Sequence, residues 1–108
     1  TGIGVYQAAK DAGKLAIGVD SNQNHLHPGT MLTSMVKRVD VAVYNSFKQH
    51  KAGVTSLGLK EGGVDYSLDQ NNAKLVSADM KAKVDAAKAD IVSGKIKVVD
   101  YMAANKCS

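Results

Sequence analysis

The chain has 108 residues, enough for one small domain or for a piece of a larger one. Its net charge of +4 comes from fourteen basic residues, all lysines except Arg38 and spread along the sequence, which argues against nucleic acid as a partner, because base and phosphate readers favour clustered arginine forks. Apolar residues make up 44% and charged residues 22%, with no tryptophan and few aromatics, so any core is aliphatic.

In chain order, "TGIGVYQAAKDAG" reads as the start of a helix with Val5, Ala8, Ala9 and Ala12 on its apolar face and Gly13 as its left-handed cap. "KLAIGV" is a continuous apolar run, the pattern of a strand buried on both faces of a parallel sheet. From Thr30 the positions Leu32, Met35, Val36, Val39, Val43 and Phe47 recur at helical spacing after the Pro28-Gly29 turn, predicting one helix that ends near Gly53. "VTSLGL" and "KEGGVDYSL" read as strand-like runs around a tight turn at Gly62-Gly63. After a polar spacer at Asp69 to Asn72, Ser77 is the expected N-cap of a helix. Its stripe is Met80, Val84, Ala87 and Ile91, and it stops at Gly94 before a further strand in "KIKVV". The order of elements is that of an α/β fold.

Few residues form a pattern that carries chemistry. Gly2 and Gly4 fit the first two glycines of a GxGxxG dinucleotide loop, but Gln7 stands at the third position. As a nucleotide motif this is weak; the plain reading is a tight turn into a helix, and an intermediate one is a helix N-terminus whose free amides meet a polar ligand group. His25 and His27 share one face of an extended segment, yet no cysteine or clustered carboxylate completes a metal set. Cys107 stands alone, without CxxC spacing or a disulfide partner. No G-x-S-x-G nucleophile elbow occurs, and nothing in the sequence brings Asp20 and Glu61 together as an acid and base pair. No cofactor is implied. No apolar run approaches the roughly 20 residues of a membrane span, and the N-terminus lacks the order of a signal peptide.

Asp20 closes the apolar run Leu15 to Val19, and in open parallel sheets ligands sit beyond the carboxyl ends of strands. It reads equally as an acceptor for ligand hydroxyls and as the cap of a loop turn. Lys37 falls in the first two turns of the expected helix, away from its apolar stripe, and on spacing alone reads as a solvated lysine.

Three segments carry a resemblance: "GVYQAAKDAGKLAIGVDSNQ", "PGTMLTSMVKRVDVAVYNSF" and "LGLKEGGVDYSL". Together they resemble the basic membrane protein family, the extracytoplasmic nucleoside-binding lipoproteins of bacterial ABC importers, over about Gly2 to Val98. The resemblance implies a Rossmann-like three-layer αβα lobe, part of a two-lobed type I periplasmic binding protein. Residues 1–108 would be its C-terminal portion, with the upstream lobe absent. It further implies a purine nucleoside held between the lobes without catalysis, permease subunits as partners, and a lipid anchor upstream that Cys107 cannot be. In such a site a carboxylate at Asp20 accepts hydrogen bonds from the ribose hydroxyls, Lys37 points into the cleft, and the backbone at Gly2 and Gly4 borders the pocket. Many members carry Asp-Gln where this chain has Asn22-Gln23, and the "DYMAANKCS" end matches nothing in the family pattern. Two other readings are a binding protein for another polar solute such as a sugar, and a nucleoside-processing enzyme on a similar scaffold. A strand at Leu15 to Val19 needs partners on both sides, so a further segment or chain is expected to cover its edge.

Overall fold

A computed structural model describes residues 1–107. The opening helix forms as α1, Gly2–Asp11, followed by Gly13 at φ +66°. Its buried face differs from the one expected. Tyr6 is the single buried residue of α1, while Val5 is 55% exposed and Ala8 and Ala12 face outward. A tyrosine gains more from burial than an alanine face does, provided its hydroxyl finds a partner.

The apolar run becomes strand β1, Ala16–Asp20, which pairs in parallel with β2, Met31–Lys37. The parallel geometry was legible; burial on both faces was not. Ile17 and Val19, alternate residues on one face of β1, remain 58% and 56% exposed, and β1 is the outermost strand in the order β1-β2-β3.

The helix expected from Thr30 to Gly53 divides in two. Residues Met31–Lys37 are strand β2, and the helix α2 is confined to Val39–Gln49. Leu32, Met35, Val36 and Val39 fit a helical stripe, but the same segment pairs with neighbours on both sides and buries Met31 and Ser34 completely. Pairing on two edges outweighs a weak period in a short window. Arg38, at φ −78° and ψ 74°, turns the chain from strand to helix.

Strand β3, Val64–Tyr66, runs antiparallel to β2. It is preceded by the expected glycine turn, with Gly62 at φ +72°. Gly63 must lack a side chain, since a Cβ there would lie 2.5 Å from the Leu57 carbonyl oxygen. Residues 54–57 and 95–99 form no strand, so the pairing expected for "VTSLGL" and the strand expected in "KIKVV" are absent.

Helix α3, Ala78–Val92, is capped by Ser77, whose hydroxyl accepts from the Met80 amide at 3.2 Å. Its apolar stripe lies over one sheet face: Val84, Ala87 and Ile91 line a hollow with Met35 and Tyr66, and Met80 borders a second with Leu32 and Thr33. A short helix α4, Tyr101–Ala104, follows.

The region beneath the β1–β2 connection is polar. Asn24, Ser34 and Asn72 are fully buried, and no buried side-chain polar atom among the described residues lacks a partner. The register slips by one residue between Ala16 and Ile17, placing Leu32 outside the β1 pairing. Asn72 Nδ2 compensates by donating to the Leu32 and Ser67 carbonyls at 2.9 and 3.0 Å. An amide side chain supplies what the bulge removes from the ladder.

Candidate functional site

The C-terminal ends of the two parallel strands lie side by side, since Asp20 is in register with Val36. Asp20 ends β1 and Lys37 ends β2. Lys37 Nζ stands 3.1 Å from Asp20 Oδ1, and both side chains are well exposed, at 63% and 69%. Lys37 thus belongs to a strand end, not to the first turns of a helix, and this brings it beside Asp20. A pair so exposed is only weakly self-stabilising and can exchange partners at little cost.

Asp20 has a left-handed backbone, φ +72°. Aspartate tolerates this region better than most residues. The residues after it are fixed by three contacts. Gln23 N donates to Ser34 Oγ at 3.0 Å, Tyr6 Oη donates to Gln23 Oε1, and Val19 N approaches the same Oε1 at 3.5 Å. Gly18 lies beneath: a Cβ there would meet Ser34 Oγ at 2.6 Å and the Gln23 side chain at 3.2 Å.

Gly2 and Gly4 sit in the first turn of α1. A Cβ on Gly2 would come within 3.3 Å of the Tyr6 hydroxyl, whereas Gly4 faces open space. The link from this turn to the Asp20 loop therefore runs through Tyr6 and Gln23. The structure brings Asp20 and Lys37 into direct contact, and joins the Gly2 turn to them through this relay.

Asn22 and Asn24 anchor the far side of the loop. Asn22 Nδ2 donates to Asp69 Oδ2 at 2.7 Å, and Asn24 bridges Ser67 and Ser34. These donors, Asn22 first and then the Asn71 amide, hold the Asp69 carboxyl below its ordinary range. Arg38, next to Lys37, is already engaged with Asp40 through contacts of 3.0 and 2.8 Å. The guanidinium hydrogen bond, foremost among several influences, holds Asp40 at about 2. Lys37 is left as the cation facing Asp20.

His25 and His27 flank this loop, and among the described residues no group of three or more histidine, cysteine, aspartate or glutamate side chains gathers as a metal site. Cys107 is exposed and free. No helix among the described residues is long and apolar enough to cross a membrane. Sequence reasoning missed Tyr6, Asn24, Asp69 and Asn72. The clusters "SNQN" and "DQNN", each placed after a strand, were the available signal.

With this geometry in view, the family model of PnrA-like ABC transporter substrate-binding proteins matches residues 1–101. The chain belongs to that family. Basic membrane protein D of Borreliella burgdorferi is 40% identical over 80 residues, covering 66% of this chain and 24% of that protein. The CD4+ T-cell-stimulating antigen of Listeria monocytogenes is 36% identical over 102 residues, covering 89% and 26%. Among solved structures, an ABC transporter system solute-binding protein from Aeropyrum pernix K1 superposes with a TM-score of 0.72 at 30% identity, covering 90% of this chain and 37% of that one. The α/β fold is thus that of an ABC solute-binding protein, and the chain spans about a quarter to somewhat over a third of these proteins' lengths.

Proposed function

We propose that the intact protein is the extracytoplasmic solute-binding component of an ABC importer. It binds a purine nucleoside between two lobes and delivers it to permease subunits chemically unchanged. The observation that carries this reading is the pairing of Asp20 and Lys37 at adjacent ends of parallel strands. An ionised carboxylate only accepts, and vicinal ribose hydroxyls donate, so Asp20 fits the sugar of a nucleoside. Lys37 orients Asp20 while leaving it open to solvent and ligand. The Gly2 and Gly4 backbone forms the adjoining wall. Asp20 stands on an open surface, which fits one wall of a cleft whose other wall lies elsewhere. The lipid anchor and membrane attachment implied by the resemblance would belong to that other part.

The same acceptor suits a free sugar, which makes a sugar the competing ligand. Calorimetric titration of the intact protein with adenosine, guanosine, inosine and ribose separates the two. Nucleoside binding is expected, with Asp20→Ala weakening it about 10- to 150-fold, the loss of a hydrogen bond to a charged group. Lys37→Ala has a smaller effect, since fixing a flexible lysine costs entropy. Unchanged nucleoside affinity in a folded Asp20→Ala variant removes Asp20 from the site. Tight ribose binding without nucleoside binding replaces the ligand. Release of free base from a nucleoside by the purified protein above background overturns binding without catalysis.

A further inference from the structure

We infer that Tyr6 and Gln23 are positioning residues for Asp20, a role that rests on the solute-binding reading of Asp20. Tyr6 is 3% exposed, so its hydroxyl is withdrawn from water and depends on a protein acceptor. That acceptor is Gln23 Oε1, which also faces the Val19 amide. The Gln23 main chain is held in turn by Ser34 Oγ at 3.0 Å. Asp20 lies between Val19 and Gln23, so its left-handed backbone is flanked on one side by the Val19 amide facing Gln23 Oε1 and on the other by the Gln23 main chain held by Ser34. Ser21 completes the turn, its amide donating to the Val19 carbonyl at 3.0 Å.

The room for this arrangement comes from Gly18, over which Gln23 and Ser34 close too tightly for any side chain. Tyr6 reaches Gln23 from the first turns of α1, and its hydroxyl lies against Gly2. One hydrogen bond therefore sets both the backbone angle at Asp20 and the approach of the α1 N-terminal turn to it. Without that bond Gln23 is free to swing, the Val19 amide loses its outer partner, and Asp20 samples directions away from the ligand. The expected cost appears in ligand affinity more than in folding, because the phenyl ring of a Tyr6→Phe variant still fills its buried place.

The test uses the intact protein with Tyr6→Phe, Asp20→Asn and the double variant. Inosine and guanosine are titrated by calorimetry, and amide exchange is followed at Val19 and Ser21. Tyr6→Phe is expected to weaken nucleoside binding about 2- to 12-fold, the worth of one neutral hydrogen bond. The loss should nearly vanish when Asp20 is already asparagine, since a positioning residue acts only through its target. A residue that merely stabilises the fold would add its effect in either background. Exchange at Val19 and Ser21 should accelerate while amides of α3 are unchanged. Gln23→Leu should reproduce the pattern. Additive losses in the double variant, or unchanged affinity together with unchanged Val19 exchange, overturn the inference. If the wild-type protein binds neither nucleoside, the nucleoside reading falls by itself. The exchange data then decide the role of the Tyr6–Gln23 bond, which is refuted if Val19 exchange in Tyr6→Phe matches wild type.

Discussion

Asn22 stands where the family resemblance leads to the expectation of an aspartate, and its surroundings give the asparagine a physical meaning. Its Nδ2 donates to Asp69 while its Oδ1 accepts from the Asn24 amide at 3.1 Å. A carboxylate could keep the second bond but not the first, and would set a like charge against Asp69. The donors around Asp69 depress its pKa, so in the wild-type protein their stabilisation is present above the ordinary value of about 4 and fades as pH falls below it. Asn22→Asp reverses the sign: one of the paired carboxyls is raised, so the variant regains stability as pH falls. Thermal melts at about pH 7 and about pH 4.5 are expected to show a clear deficit for Asn22→Asp at the higher pH and a smaller one at the lower. Equal deficits at both would sink the account. At this scale the resemblance singled out Asp20 and Lys37, which the structure places in contact, whereas nothing in the sequence pointed to Tyr6–Gln23 or Asn22–Asp69. Their partners lie 17 and 47 residues apart, and no local spacing encodes contacts formed only by folding. Asn72→Ala tests the polar region further: it strips a donor from two carbonyls, and chemical denaturation should show a loss of about 1–3 kcal/mol.

The elements were legible where their signals were local. Ser77 caps α3 as its position predicts, and the apolar run before Asp20 is a parallel strand. The segment from Met31 to Lys37 misled because its apolar spacing suits both periods, and its identity as a strand depends on β1 and β3 beside it. Those neighbours also determine how α3 is held. Tyr66 at the end of β3 donates to Asp85 Oδ1 at 2.5 Å, Lys81 reaches the other oxygen at 2.7 Å, and Lys88 pairs with Asp65 at 2.7 Å. The hydrogen bond to Asp85 raises the Tyr66 pKa, so the phenol keeps its proton longer when folded. That stabilisation is complete below the ordinary tyrosine value of about 10 and is lost as pH rises through the folded value. Tyr66→Phe should therefore be less stable than wild type at about pH 8, with the difference narrowing toward about pH 12. Parallel stability profiles across that range would show that the Tyr66–Asp85 bond does not hold α3 to the sheet.

The molecule as a whole is under-packed. Its accessible surface is 8023 Å², against about 5,700 Å² for a compact monomer of this mass. The radius of gyration is 16.2 Å, where about 13 Å is usual for this length. Among the described residues only Tyr6 and Met31 are buried apolar side chains, while α2 leaves Val39, Val43, Tyr44 and Phe47 about half exposed or more. A core this small cannot offset the conformational entropy of ordering the chain. The deficit is greatest along β1. Ala16 N donates to the Thr30 carbonyl on the β2 side, so by strand alternation the Ile17 amide points to the open edge. Ile17 and Val19 also expose their side chains on one face. Apolar edges left open pair with other chains, and proteins avoid this by covering them. We therefore expect the β1 edge to be covered in the intact protein by a further segment of the same polypeptide. Amide exchange in the intact protein should show Ile17 protected to the level of the β2 amides. The isolated 108-residue chain should melt without a sharp transition and bind nucleoside weakly at best. An unprotected Ile17 amide in the intact protein, or cooperative unfolding and tight nucleoside binding by the isolated chain as a monomer, would refute this account of the missing wall and its lobe.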